Sequence, residues 1–378
     1  MTRRERLMAT LRGRPVDRPA VNFYEVGGFE VDQGDPDPFN IFSDPSWGPL
    51  LALAEERTDL IRFGSLEIRR PGDPAAVTVS EGPGGSRVTR TVLRAGGRTL
   101  TSVTRRDREV NTIWTLEHLL KDVADLRAYL DIPDDCLAEE VDVSAMQAQD
   151  ARLGDRGIVM VDSPDPLCLA AALFSMEDYV VVAFSEQVLF HRLLEKMARV
   201  LHQRTETVAK AFPGHLWRVY GPEYASEPFL PNQLFEEYVV RYTGPMIGMI
   251  QRQGGFARLH CHGRIRRLLP HFVRMGVTAT DPIEPPPQGD IGLAEVRRDY
   301  GRDLVLFGNL EVSDIENLRP ADFEKVVAQS LTDGTAGDGR GFVLMPSAGP
   351  YGRTITRDTL ANYETMVRLA VGWNGARP

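Results

Sequence analysis

The sequence is poor in cysteine and has no long apolar run. Its 378 residues include three cysteines, Cys136, Cys168 and Cys261, which lie far apart. Their number is odd and a chain of this length can bury a large core, so a disulfide framework is not expected. Reduced thiols are typical of a cytoplasmic protein. No apolar stretch follows the basic start MTRRERLMATLRGRP, so neither a signal peptide nor a membrane-spanning helix is expected.

Basic residues are outnumbered by acidic ones, 44 Lys and Arg against 53 Asp and Glu. The formal net charge is −9 and the isoelectric point is near 5.4, which excludes the broad basic face of a general nucleic-acid-binding protein. The sequence contains no phosphate-binding P-loop, no HExxH zinc motif and no glycine-rich dinucleotide fingerprint after an apolar run. A small-molecule substrate is therefore the expected partner, and a homodimer is the base-rate expectation for assembly.

Short apolar runs alternate with helical segments along the chain. Eight runs read as strands, at residues 19–24, 59–63, 157–162, 216–221, 256–261, 277–283, 303–310 and 341–347. Such alternation is typical of βαβ units and a parallel sheet, and eight is the strand number of a TIM barrel. We predict an α/β protein with one (β/α)8 TIM barrel domain over residues 1–378. An open doubly wound sheet is the alternative.

Residues 65–135 interrupt this alternation. The segment SRVTRTVLRAGGRTLTSVTR has a period of two that is broken by Gly96 and Gly97, as in a β-hairpin. We predict an antiparallel β-hairpin insertion after the second barrel strand, at about 65–135. The stretch TLEHLLKDVADLRAYLDIP, residues 115–133, predicts a helix that ends before Pro133.

The fifth strand ends in ARLHCHGRI, which contains His260, Cys261 and His262. Side chains alternate along a strand, so the two histidines point to one face and the cysteine to the other. TIM-barrel active sites lie at the carboxyl ends of the strands, and two imidazoles there form half of a zinc site. We expect Cys261 to pack against the helix layer as a small apolar residue. The alternative is that all three residues only fill a core strand.

Two acidic residues are candidates to complete a metal site. Glu223 follows the fourth strand and is a candidate metal ligand or general acid/base, with a loop-capping role as the alternative. Glu284 follows the sixth strand in the proline-rich loop DPIEPPP, which would hold a ligand firmly. Its alternative role is to bind backbone amides.

The first, seventh and eighth strands end in further polar residues. We predict that Tyr24, Asn309 and Tyr351 position a substrate and act in catalysis. Arg353 and Asn22 are predicted to bind a cofactor, because an arginine there pairs with a carboxylate or phosphate.

The segments TRRERLMATLRGRPVDRPAV and GVTATDPIEPPPQGDIGLAEVRRDYGRDLVLFGNLE resemble the uroporphyrinogen decarboxylase superfamily. The resemblance extends over nearly the whole chain and implies a barrel fold. True uroporphyrinogen decarboxylases bind the substrate carboxylates with an Arg-x-Ala-Gly-Arg segment after the first strand and an Asp after the second. Here those places read NFYEVGG and RFGS, with Ser65 near the Asp position.

The corrinoid-linked methyltransferase branch is the more similar one. Its zinc motif is His-x-Cys-Gly plus a later Cys, whereas this chain has HCHG at 260–263 and Ala348 at the later position. The resemblance implies a zinc-dependent methyltransferase or O-demethylase-like enzyme, with His260, His262, Glu223 and Glu284 as ligands. A histidine and carboxylate set favours a hard oxygen ligand over a thiol.

In this interpretation a methyl group moves between a small methylated substrate and a corrinoid or tetrahydrofolate acceptor. A separate corrinoid protein is then a candidate partner. The first alternative is a metal-free decarboxylase or lyase acting on a small carboxylic acid or a porphyrinogen-like substrate. One of the two histidines would then donate a proton and Arg353 would bind the carboxylate. The second alternative is a barrel that binds a corrinoid or tetrapyrrole without catalysis.

Overall fold

The computed structural model describes residues 1–374. Its strands are, in chain order, β1 (Ala20–Val21), β2 (Leu60–Phe63), β3 (Glu67–Arg69), β4 (Ala76–Glu81), β5 (Arg87–Ala95), β6 (Arg98–Arg106), β7 (Ile113–Glu117), β8 (Glu140–Asp142), β9 (Gly157–Pro164), β10 (Leu216–Tyr220), β11 (Phe256–His260), β12 (Ala279–Asp281), β13 (Val305–Leu310) and β14 (Phe342–Pro346). Its α-helices are α1 (Arg3–Leu11), α2 (Trp47–Arg57), α3 (Val123–Leu130), α4 (Ser144–Leu153), α5 (Pro166–Ala171), α6 (Met176–Ser185), α7 (Gln187–Ala211), α8 (Asn232–Phe235), α9 (Arg241–Arg252), α10 (Leu269–Met275), α11 (Leu293–Tyr300), α12 (Val312–Asn317), α13 (Pro320–Thr335) and α14 (Arg357–Val371).

The eight predicted strands form one curled parallel sheet. Its order is β1-β14-β13-β12-β11-β10-β9-β2, and every neighbouring pair is parallel. The two end strands also meet. The Asp59 N–H, just before β2, donates to Val21 O of β1 at 2.7 Å, and the Asp59 carboxylate accepts from the Val21 N–H at 2.9 Å. The predicted alternation is therefore confirmed as a sheet of the TIM-barrel type.

A separate antiparallel sheet lies between β2 and β9. It has the order β4-β5-β6-β7, and β3 pairs with β8 beside it. The segment is therefore larger than the single hairpin expected there. The helix predicted over 115–133 is wrong in its first part, because β7 pairs with β6. The helix α3 begins only at Val123, where the Asp122 carboxylate accepts the Asp125 N–H at 2.7 Å and caps it.

The interior of the curled sheet is apolar at the amino ends of its strands. Leu7 and Leu11 of α1 are both 1 % exposed and belong to this cluster, so α1 covers that end. The strands contribute Ile61, Phe63, Ile158, Met160, Val305, Phe307, Val343 and Met345. Nearer the carboxyl ends the interior side chains become charged. None of the helices in residues 1–374 combines the length and apolar character that a bilayer crossing requires.

Candidate active site

His260, the last residue of β11, lies in a buried row of charged partners. Its Nδ1 is 2.7 Å from Oδ2 of Asp281, which pairs with it in register on β12. Arg258 Nε lies 3.2 Å from the other oxygen, Oδ1 of Asp281, without the angle of a hydrogen bond. Burial lowers the pKa of His260 to about 4. Burial alone would raise the pKa of Asp281, but Arg258 and His260 hold it at about 2.

His260 is therefore neutral near pH 7 and donates its Nδ1–H to an ionised Asp281. This tautomer leaves a lone pair on Nε2. The Tyr24 ring stacks on the imidazole, with centroids 5.9 Å apart and planes 22° apart. A neutral, oriented imidazole of this kind is suited to bind a metal or to accept a proton.

His262 titrates in the opposite sense. Its Nδ1 is 2.8 Å from Oε1 of Glu284, whose Oε2 accepts the Gly263 N–H at 2.6 Å. Burial lowers the pKa of His262, but the hydrogen bond and charge of Glu284 and the charge of Glu223 outweigh it, so the pKa is raised. The two imidazole centroids lie 4.6 Å apart with perpendicular planes. The two neighbouring imidazoles thus have pKa values that are shifted in opposite directions.

Cys261, between the two histidines, points away from them. It is 1 % exposed and belongs to the apolar cluster shared by the strands and the helix layer. Burial raises the pKa of its thiol well above the usual value. The thiol is therefore neutral, and the packing expected from the strand alternation agrees with the structure.

Three more carboxyl groups lie within the electrostatic reach of His262, and we call them the acidic cluster: Glu25 after β1, Glu223 after β10 and Glu311 after β13. Burial raises the pKa of all three, that of Glu311 to about 7. Glu223 Oε2 and Glu311 Oε1 are buried without a hydrogen-bond partner in residues 1–374, and Glu311 is 8 % exposed. The sequence marks Glu311 as a strand-end residue but gives no reason to assign it a role.

No member of the acidic cluster forms an ion pair within the described part of the chain. Glu25 Oε2 accepts the Gly349 N–H at 3.1 Å, and the Ser347 hydroxyl lies 3.4 Å from Glu311 Oε2. Neutral donors of this kind do not cancel a buried negative charge. Acidic groups therefore outnumber cationic ones around the two histidines among residues 1–374, and burial disfavours the ionised form of the three in the cluster.

A second charged pair lies inside the barrel below the histidines. Arg218 of β10 donates to Asp162 of β9 through Nε at 2.6 Å and Nη2 at 3.0 Å, and through Nη1 to the Tyr24 hydroxyl. Burial lowers the pKa of Arg218 to about 10, so it stays cationic. Sequence reasoning missed Arg218, Asp162 and Arg258. The signal that could have identified them is that each is a charged residue within an otherwise apolar strand, at a position facing the barrel interior.

Asn22 and Asn309 have structural partners. Asn22 Nδ2 donates to Asp59 O at 3.0 Å, and its Oδ1 accepts the Tyr24 N–H at 2.8 Å. Because Tyr24 has φ +58°, this bond supports a strained turn that presents the Tyr24 ring to His260. Asn309 Oδ1 accepts from the Ser330 hydroxyl of α13 at 2.9 Å, which directs it to the helix layer. Both the Nδ2 and the Oδ1 of Asn22 are therefore engaged, whereas only the Oδ1 of Asn309 has a partner in residues 1–374.

Arg353 and Tyr351 lie at the rim. The Arg353 guanidinium donates to carbonyl oxygens of the loops before α2 and after β6, with Nε 3.0 Å from Arg108 O and Nη1 3.2 Å from Asn40 O. These bonds occupy the donors that a carboxylate or phosphate would need. Tyr351 is 47 % exposed. Burial raises the pKa of its hydroxyl, and the charges of Glu25 and Glu284 raise it further. The structure thus brings Tyr24, Glu223, Glu284 and the histidines together, with Tyr351 above them.

The donor set fits a zinc ion in its chemistry. Each histidine has a carboxylate on Nδ1 and an unused Nε2, which is the usual arrangement around a zinc-bound imidazole. Glu223 offers an unpartnered oxygen, whereas both oxygens of Glu284 are engaged, so Glu284 orients His262. As they stand, no three His, Cys, Asp or Glu side chains of residues 1–374 are arranged to coordinate a metal. Side-chain movement would be needed to complete the site.

The fold and the sequence match known proteins to different degrees. A solved methyltransferase from Methanosarcina mazei superposes with a TM-score of 0.60 at 14 % identity, covering 98 % of both chains, which is a likeness of fold. No curated protein sequence matches the chain. The family model described as uroporphyrinogen decarboxylase (URO-D) matches residues 114–370, more than half of the chain. The chain therefore belongs to the uroporphyrinogen decarboxylase (URO-D) family.

Proposed function

We propose that this protein is a metal-dependent enzyme of the methyltransferase or O-demethylase type within the URO-D family. It would move a methyl group between a small methylated substrate and a corrinoid or tetrahydrofolate acceptor, and a separate corrinoid protein is a candidate partner. The fold shared over 98 % of both chains with a protein titled a methyltransferase supports this class. The family match supports the superfamily, and the HCHG segment supports the branch.

The observation on which the proposal depends is the excess of carboxyl groups around two imidazoles. Arg218 is paired with Asp162, Arg258 faces Asp281 and His262 is paired with Glu284. Within residues 1–374, the acidic cluster is left without an ion-pair partner. Buried carboxylates without a cation are unfavourable, so such a site favours a positively charged occupant.

We assign the metal ligands to Nε2 of His260, Nε2 of His262 and the Glu223 carboxylate. Asp281 and Glu284 would orient the two imidazoles through Nδ1. Zinc bound there would supply Lewis acidity toward a substrate oxygen or an incoming nucleophile. The His260 pKa of about 4 keeps that imidazole unprotonated and ready to bind.

The other residues of the site would bind substrate and move protons. The Tyr24 hydroxyl is held by Arg218 Nη1, and its ring forms one wall beside His260. Glu311, with a pKa of about 7, can hold or release a proton near neutral pH. Tyr351 at the exposed rim is positioned to contact a substrate that enters the mouth. Asn309 would position the substrate through its Nδ2, because Ser330 holds its Oδ1.

A metal-free lyase is the second candidate. Although burial lowers the pKa of His262, the hydrogen bond and charge of Glu284 raise it on balance, which supports a role as proton donor. Such an enzyme must also bind a carboxylate substrate, and the cations within reach are already used. Arg353 donates to backbone carbonyls and Arg218 to Asp162. The acidic cluster would repel an anionic substrate further, so we rank this candidate second.

The first test is elemental analysis of bound metal in the purified full-length protein. We expect about one zinc per chain, as three protein ligands suffice for a zinc site. The zinc should be lost in His260→Ala/His262→Ala and retained in His118→Ala, which removes a histidine of the inserted sheet region. No zinc in the wild type, even after zinc is added back, would reject the metal site and favour the lyase.

The second test addresses the reaction. Methylcobalamin is mixed with the zinc-loaded protein and tetrahydrofolate, and the loss of the cobalt–carbon absorption band is followed against the double histidine variant. Demethylation by the wild type alone supports methyl transfer. If zinc is bound but neither this assay nor the reverse reaction proceeds, the metal site stands and the corrinoid assignment is rejected.

A further inference from the structure

The amino end of the barrel contains a cavity of about 500 Å³, on the side away from the histidines. It lies between the segment after α1, the end of α13 and the segment that enters β14. Its polar lining is dominated by arginines: Arg14, Arg18, Arg297 and Arg340, and we call it the arginine cavity. A volume of this size is within the range of small-molecule sites.

The acid in the lining is already neutralised. The Asp17 carboxylate accepts from Arg6 Nε and Arg6 Nη2, both at 2.7 Å. Arg18 donates to the buried Asp59 at 2.8 Å. The positive charges of the remaining arginines are therefore not balanced by a carboxylate of the cavity lining.

Arg297 is a buried cation with an unused donor. It is 6 % exposed, its Nε donates to Ala336 O at 2.8 Å, and its Nη1 has no hydrogen-bond partner in residues 1–374. The Nε of Arg340 is also buried without a partner in this part of the chain. Neither Arg340 nor Arg14 forms an ion pair among the described residues, and Asp338, whose charge reaches Arg297, is exposed and outside the lining. Unused buried guanidinium donors are unfavourable unless an acceptor binds to them.

We infer that the arginine cavity binds a phosphate-bearing small molecule. A phosphate group presents several anionic oxygens, and guanidinium groups bind such oxygens through paired hydrogen bonds. Trp373 forms part of the wall, fixed by a hydrogen bond from its Nε1 to Thr335 Oγ1 at 3.2 Å. Its indole offers a flat surface for a ring, so a phosphate ester with a planar group fits the lining as well as phosphate itself.

The inference can be tested by isothermal titration calorimetry on the full chain at low ionic strength. The probes are inorganic phosphate, pyrophosphate and adenosine monophosphate, in separate titrations. We expect saturable binding of at least one probe at millimolar or tighter affinity. Tighter binding of adenosine monophosphate than of phosphate would identify a ring-bearing ester as the ligand class, whereas equal affinity would identify free phosphate.

The variants are Arg14→Gln and Arg340→Gln, with Arg192→Gln on the exposed face of α7 as the matched control. Loss of one charge-assisted contact should weaken binding about tenfold, and the control should leave it unchanged. Because the buried Arg297 contributes to packing, it is tested as Arg297→Lys, which keeps the charge but loses the guanidinium geometry and should also weaken binding. Absence of saturable binding with all probes, or equal binding by the control and the cavity variants, would overturn the inference.

Discussion

The two ends of the barrel have opposite local charge imbalances. Among residues 1–374, the acidic cluster at the carboxyl end forms no ion pair, and at the amino end Arg14, Arg297 and Arg340 of the arginine cavity form none either. The apolar interior cluster separates them. The net charge of −9 describes neither end. We propose instead that each imbalance is offset by a ligand of the opposite charge, a cation at the first end and an anion at the second.

A smaller contrast exists inside the carboxyl end. His260 and His262 are two residues apart on the same strand end, and each is bonded through Nδ1 to a carboxylate. Their pKa values nevertheless shift in opposite directions. Burial lowers the pKa of His260, with a smaller contribution from the charge of Arg218, whereas the carboxylates that face His262 outweigh its burial. Position in the sequence therefore does not decide the direction of the pKa shift, which depends on burial and on the surrounding charges.

The largest predicted effect comes from breaking the buried row that orients His260. In Asp281→Ala the fully buried Arg258 loses its counter-charge, so we expect a loss of about 3–5 kcal/mol in the free energy of unfolding. Urea denaturation followed by circular dichroism measures it. The control Asp299→Ala removes a surface carboxylate and should leave stability unchanged. A loss no larger than that of the control would mean that solvent reaches Arg258.

The next effect concerns the acidic cluster. The folded-state pKa of Glu311 is about 7 against 4.5 for an unperturbed group, so folding becomes less favourable as pH rises from 4.5 to 7. Glu311→Gln removes this penalty and should stabilise the metal-free protein at pH 8 by on the order of 1–3 kcal/mol, with little change at pH 4.5. Denaturation in the presence of a chelator, with exposed Glu364→Gln as control, measures it. Equal stability of variant and wild type at pH 8 would contradict the raised pKa.

The fold was predictable because each strand has a local signal. Apolar runs of the right length and spacing identify all eight barrel strands, and strand alternation places Cys261 apart from the histidines. Roles that depend on a distant partner were not predictable. Arg353 donates a hydrogen bond to Arg108 O, and Asn309 Oδ1 accepts one from the Ser330 hydroxyl. No local sequence pattern predicts either contact.

The inserted sheet shows a second limit of the sequence. Taken together with the segment that follows, the residues of β7 show the apolar spacing of a helix. In the structure they form a strand instead, because they pair with β6. The two antiparallel partners lie close in sequence and pair at one edge of a four-stranded sheet. Of the predicted candidate site, the strand-end positions follow from the fold, whereas the charge balance among them depends on side-chain packing.

A smaller effect is expected at the rim, where Arg353 joins two loops beside the acidic end. Arg353→Gln removes hydrogen bonds to carbonyl oxygens and should lower the free energy of unfolding by about 1–2 kcal/mol. Bound zinc should stay unchanged, because Arg353 contacts no proposed ligand. The control is Arg357→Gln at the exposed start of α14. If Arg353→Gln instead weakened substrate binding at unchanged stability, the rim arginine would belong to the binding site after all.

Glu284→Gln is expected to have the smallest effect on stability. It should also test most directly why the pKa values of the two histidines differ. The raised pKa of His262 stabilises the fold below the unfolded value of 6.5, and this contribution disappears as pH rises through the folded value. The His262 side chain is 38 % exposed, so solvent screening should limit the stability change to below about 1 kcal/mol. The pKa itself should fall, because the variant removes the charge that holds the proton. Histidine NMR titration of the metal-free protein should show His262 moving down in pKa while His260 still titrates near 4. If His262 kept its pKa in the variant, the charge of the acidic cluster, and not that of Glu284, would be what raises it. The acidic cluster would then have a stronger effect on His262 than its distance from hydrogen bonding suggests.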